Sequence, residues 1–141
     1  MSATHLAALA RTTEPQTMLR RFLALDAVVT GTNGVAYLAV SGPLGRLFDV
    51  DSTLLLVLGV FLVLYGAAVG LLATRPSPPA LGVRAVVEAN LAWAAVSLVA
   101  LGLWLSPSTA GAVWIVLQAL TVAGFAALQY GALRARQGSS E

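Results

Sequence analysis

Between Glu88 and Arg134 the chain reads ANLAWAAVSLVALGLWLSPSTAGAVWIVLQALTVAGFAALQYGAL, Ala89 to Leu133, 45 residues without a charge. A helix needs about 20 apolar residues to cross roughly 30 Å of hydrocarbon. One crossing cannot use this run, and Ser106-Pro107-Ser108 divides it into two. Two shorter charge-free runs precede it, 27–45 and 52–74. The reading is an all-α polytopic membrane protein with helices near 18–41, 53–74, 83–105 and 109–133. Residues 1–141 then form a single integral membrane domain. Short connections make it an up-down four-transmembrane-helix bundle. Gly42-Pro43 is expected to end helix 1, and Asp51, Ser52 or Thr53 to cap helix 2.

Composition agrees. Of 141 residues, 58% are hydrophobic and only 10% are charged, against about 45–50% and about 25% in a soluble domain. With no cysteine, a disulfide scaffold and thiol chemistry are excluded. Histidine occurs once, as His5, so no metal site and no cofactor are expected. A net charge of +2, scattered along the chain, gives no nucleic-acid footprint. Residues 1–17 lack an apolar core and carry Arg11 and Glu14, so helix 1 is expected to be an uncleaved span.

All eight basic residues are arginine. Arg11, Arg20, Arg21, Arg75, Arg84, Arg134 and Arg136 lie on one side of the expected bundle, and Arg46 alone on the other. Seven against one places both termini in the cytoplasm.

Ionisable and polar residues inside a span are costly and face a partner or cavity. On helix 1, Asp26, Thr30, Asn33 and Tyr37 recur at i, i+4, i+7 and i+11, one face of a helix. Helix 2 offers Tyr65 in mid-span, helix 3 Asn90 and Trp93, helix 4 Gln118, Phe125 and Gln129. At 1.5 Å per residue, Asp26, Glu88 and Gln129 all lie about 6–8 Å in from the nearest arginine. These faces are expected to converge on a pocket open toward the cytoplasm. Asp26 is alternatively an interfacial partner of Arg20 or Arg21. Glu88 alternatively pairs with Arg84, four residues earlier, and it lies about 200° from Asn90 on an ideal helix. Gln118 is read as interhelical hydrogen-bond glue. Trp93 is core packing or pocket wall, and Trp104 and Trp114 are read as interfacial belt residues. The Gly66–Gly70 spacing is a close-contact face, within the bundle or between the protomers of a homodimer. Helices 1 and 3 each carry one inner acid, a faint repeat of two hairpins.

Burial disfavours the ionised form of a carboxyl. A carboxylic acid beside aromatic faces can protonate an apolar substrate and steer a carbocation. The same groups suit a small proton-coupled transporter, dimeric through Gly66 and Gly70. A non-catalytic accessory or lipid-binding protein is the third alternative.

The stretch LDAVVTGTNGVAYL, Leu25 to Leu38, with Glu88-Ala89-Asn90 and the following Trp93, resembles small four-span bacterial membrane proteins. Through them the chain is similar to the membrane-bound terpene cyclases of bacterial indole-terpenoid (meroterpenoid) pathways. The resemblance implies a metal-independent, class II-like reaction that opens an epoxide or protonates an alkene of a prenylated substrate. It implies an acid role for Asp26, shared with Glu88. Asn33 and Asn90 would orient the acid or the epoxide oxygen. Tyr37, Tyr65, Trp93 and Phe125 would shape the prenyl chain, with Thr30 and Gln129 completing the binding site. The substrate would enter sideways from the bilayer.

Overall fold

A computed structural model describes residues 3–139, with side chains over 14–138. The side chains of His5 and Arg11 lie outside the described residues. Five helices follow in order: α1 Ala3–Ala39, α2 Ser41–Phe48, α3 Ser52–Thr74, α4 Ala80–Leu103 and α5 Thr109–Ser139. No strand occurs among the described residues. The helices α1, α3, α4 and α5 are each long and apolar enough to cross a membrane. Their outward surfaces are apolar too, with Val28, Leu64, Leu71 and Leu120 all exposed. In water such a surface would be an aggregation patch, whereas in lipid it is the solvated face.

The spans match the expected ones, with two differences. The first is that α1 begins well before residue 18 and runs through Pro15. The second is α2. Gly42-Pro43 does not end a helix but sits in the first turn of a new one. Proline is tolerated there because first-turn N–H groups have no intrahelical partner. Asp49 closes α2 in the left-handed region at φ 54°, its N–H bonded to the Gly45 carbonyl. Asp51 then caps α3, accepting from the Thr53 N–H at 2.8 Å. At the start of α5, the Ser108 hydroxyl accepts from the Gly111 N–H at 3.1 Å. The same hydroxyl donates to the Leu47 carbonyl at 2.6 Å, and the Ser108 N–H donates to Phe48 at 2.9 Å. These bonds fasten α5 to the end of α2.

Glycines decide which helices come closest. A Cβ on Gly34 would lie 2.8 Å from the Val63 nitrogen, one on Gly59 3.0 Å from the Gly34 carbonyl, and one on Gly66 3.0 Å from the Gly31 nitrogen. The backbones of α1 and α3 therefore touch almost directly. Gly66 takes the first of its two expected roles, contact within the bundle. Around the bundle the order is α3, α1, α5, α4, and α3 and α4 barely meet. Consecutive helices were expected to be neighbours, and this pair departs from that. The reason is bulk: Phe61 of α3 stacks on Trp93 of α4 at 5.7 Å, and on Tyr65 of its own helix at 6.0 Å. Aromatic rings hold apart what glycine would let close.

The arginine-rich end is filled. Leu19, Leu23, Val83 and Leu133 are all fully buried there, with Val69 and Ala126 beside them. Arg20 Nε donates to the Ala73 carbonyl at 3.1 Å, satisfying one of the free carbonyls at the end of α3. Gln16 donates to the Pro76 carbonyl at 2.9 Å. Arg136 donates to both Gln16, at 2.9 Å, and the Pro78 carbonyl, at 2.7 Å. The proline linker between α3 and α4 is thus clamped by α1 and α5.

Candidate functional site

Asp26 is fully buried. Three neutral donors converge on its carboxyl. Thr30 Oγ1 donates to Oδ1 at 2.9 Å, one turn along α1. Asn90 Nδ2 of α4 donates to Oδ2 at 2.8 Å, and Gln129 Nε2 of α5 donates to the same oxygen at 2.7 Å. Asn90 also donates to Gln129 Oε1 at 3.2 Å. Tyr65 of α3 completes the set, its hydroxyl lying 3.2 Å from Asn90 Oδ1 and 3.3 Å from the Val86 carbonyl. All four long helices meet here, α1 with two residues and the others with one each. The interior alternative for Asp26 holds, since every partner of its carboxyl belongs to this cluster.

Toward α2 the bundle opens. A cavity of about 340 Å³ is lined by Tyr37, Phe48, Leu58, Trp93, Trp114 and Gln118, with Ser97 and Ala100 on the α4 wall. A second cavity, about 310 Å³, lies between α3 and α4 and reaches Thr30, Tyr65, Asn90 and Trp93. A third, about 130 Å³, joins Thr30, Asn33, Tyr37, Trp93 and Gln118 on the α1 side. Trp93 borders all three. Its indole N–H donates to Gln118 Oε1 at 2.6 Å. The Trp114 indole N–H donates to the Tyr37 hydroxyl at 2.7 Å, and its ring stacks on Phe48 at 6.1 Å. Both indoles are therefore held at fixed orientations, with faces left for the cavity. Where α3 and α4 separate, the second cavity is bordered by the exposed side chains of Phe61 and Val96, and Val96 borders the first as well.

Comparison with family models, with curated proteins and with solved structures finds no match for this chain. The residues themselves carry the functional reading.

The expected residues divide into three groups. Asp26, Thr30, Tyr65, Asn90 and Gln129 meet in one hydrogen-bonded cluster. Asn33, Tyr37 and Trp93 line the cavities beside it, as do Thr30, Tyr65 and Asn90. Glu88 and Phe125 are not brought in. Glu88 is exposed on the far side of α4, beside Arg84, Leu91 and Tyr130. Asn90 occupies the inward face, and two residues' separation on a helix turns Glu88 away from it. Phe125 is half-buried but lines neither large cavity. The pocket does not open toward the arginine-rich end, because the leucine core fills that end and the space lies on the other side of Asp26. Asp26 lines none of the three cavities around Trp93.

Two wall residues escaped the sequence reading. Trp114 is not a belt residue; it is partly buried and bonded to Tyr37, whereas Trp104 stays exposed. Phe48 reaches the cavity only because α2 exists. The signal for Trp114 was present, since it lies four residues before Gln118 on the inward stripe of α5.

Proposed function

We propose that this protein takes an apolar, prenyl-like small molecule from the bilayer through the gap between α3 and α4 and holds it against Trp93. The observation that carries the reading is the cavity of about 340 Å³ with aromatic walls, bordered by both α3 and α4 where these helices barely meet. Its size lies within the usual range for ligand sites, about 300–1,000 Å³. Few polar groups reach it, and those that do, Gln118, Tyr37 and Ser97, are placed to fix orientation rather than to solvate. The arginine distribution supports both termini being cytoplasmic, and the resemblance to bacterial four-span proteins points to a bacterial inner membrane. On that orientation the cavity lies in the outer half of the bilayer.

The catalytic reading rests on the walls. The faces of Trp93 and Trp114 suit a developing carbocation. In a metal-independent cyclisation an acid gives its proton to an epoxide oxygen or alkene carbon. A neighbouring double bond then closes the ring, and the final cation returns a proton, so no cofactor is consumed. Asp26 is screened from the cavity by its own partners. As the acid it would be protonated first and would pass its proton to the Thr30 hydroxyl, which gives up its own to the substrate; Thr30 touches both Asp26 and the cavities. Glu88 takes no part in this reading. Proton-coupled transport has less support, because it needs a second opening where Leu19, Leu23 and Leu133 are packed.

The test is binding and turnover of an epoxy-prenyl aromatic by the purified protein in nanodiscs. Saturable binding by wild type, abolished by Ala100→Trp, is the expected result for the binding role. Turnover by wild type and none by Asp26→Asn adds the catalytic role. Absence of saturable binding across prenyl aromatics of several lengths would sink the proposal.

A further inference from the structure

The outer face of the α4/α5 hairpin holds a groove separate from the cavities around Trp93. Its deeper part, about 360 Å³, is a trough floored by Leu91, Ala123, Ala126 and Ala127. Its mouth, about 440 Å³, is bordered by Arg84, Tyr130, Arg134 and Gln137. Arg84 and Tyr130 border both parts, so trough and mouth are continuous. The alanines make the depression: beside Leu91 and Tyr130 their methyl groups leave a channel wide enough for a hydrocarbon chain. Arg134 is fixed at the mouth, its guanidinium 5.7 Å from the Tyr130 ring centre and its Nη1 donating to the Tyr130 hydroxyl at 2.9 Å.

We infer that this groove binds an anionic phospholipid, with the phosphate between Arg84 and Arg134 and one acyl chain along the alanine trough. Charge complementarity selects the occupant. Two arginines stand where the span meets the headgroup layer, and a basic pocket between helices at that depth suits an acidic headgroup. An apolar trough running directly inward from the pair suits a ligand that carries its phosphate on a hydrocarbon chain. Glu88 lines the trough one turn deeper than Arg84. Among the described residues it is the one carboxylate bordering this groove, and it opposes the headgroup's charge. The inference is independent of what the Trp93 cavity holds.

Native mass spectrometry of the detergent-purified protein tests it, with phosphatidylglycerol, phosphatidylcholine and inorganic phosphate as probes. Wild type should retain phosphatidylglycerol in preference to phosphatidylcholine and should not retain phosphate. The double variant Arg84→Gln/Arg134→Gln should lose about 30-fold in phosphatidylglycerol affinity, at about a decade and a half for two surface arginines. Ala127→Leu, which fills the trough and leaves both charges, should weaken the same lipid while the melting temperature stays unchanged. Glu88→Gln should strengthen the preference. Equal retention of both lipids by wild type means annular lipid only and overturns the inference. So does retention of phosphate alone, or a double variant that binds as wild type does. Binding of a prenyl ligand at Trp93 should be the same in all these variants, which separates failure here from failure of the proposed function.

Discussion

The two halves of this bundle spend their polar residues differently. Toward the arginine-rich end, Asp26, Asn90 and Gln129 bond to one another beneath a leucine core, and of the three only Asn90 borders a cavity beside Trp93. Toward α2, Tyr37, Trp93, Trp114 and Gln118 also bond in pairs, yet each pair borders open space. The same kind of interaction welds one half and frames a cavity in the other. What separates them is the size of the residues where helices cross. Glycine lets α1 and α3 close on each other, and leucines fill the arginine-rich end. Aromatic rings between α3 and α4 hold the other end apart. In lipid there is little hydrophobic gain from bringing helices together, so close packing and hydrogen bonds supply the holding force. The α1–α3 seam and these hydrogen bonds hold the bundle together, so α3 and α4 can stay apart beside the cavities.

Breaking the α1–α3 seam, where glycines bring the two backbones together, should cost most. Gly34→Leu drives a side chain into the Val63 backbone and should lower stability by about 3 kcal/mol, seen as a large fall in melting temperature in detergent. Asp26→Ala comes next. It leaves the Gln129 amide without its acceptor and should cost about 2 kcal/mol. Asp26→Asn should cost less, because the shape is kept. In the open half the effect should move from stability to binding. Ser97→Phe fills the cavity and should weaken a prenyl ligand at least tenfold, about 1.4 kcal/mol, while the melting temperature holds. Smallest of all, Glu88→Gln should change stability by less than about 0.5 kcal/mol and leave prenyl binding as it is. If Glu88→Gln abolished ligand binding or turnover, the division between the inward and outward faces of α4 would be wrong.

Much of this was legible in the sequence because it depends on one helix at a time. Charge-free runs located the four spans, and Asp51 capped α3 as its residue type implies. The spacing of Asp26, Thr30, Asn33 and Tyr37 placed them on one face, and the structure puts that face inward. The rest depends on how helices turn and lean against one another. Glu88 and Asp26 share a depth, but depth says nothing of rotation, and only the rotation of α4 separates them. The side on which the cavity opens depends on Leu19, Leu23, Val83 and Leu133 meeting from three helices, which no single run shows. Helix α2 was missed for a local reason: Gly42-Pro43 is a breaker inside a helix but harmless in a first turn.

The central claim is that an apolar molecule reaches Trp93 from the side, between α3 and α4. Trp104→Phe/Trp114→Phe leaves Trp93 as the sole indole. Its fluorescence in bilayers of lipid brominated on the acyl chain tests the claim directly. The account predicts quenching by the brominated chains and its relief, saturably, when a prenyl aromatic is added. Emission from Trp93 that ignores both the brominated lipid and the prenyl ligand would contradict it.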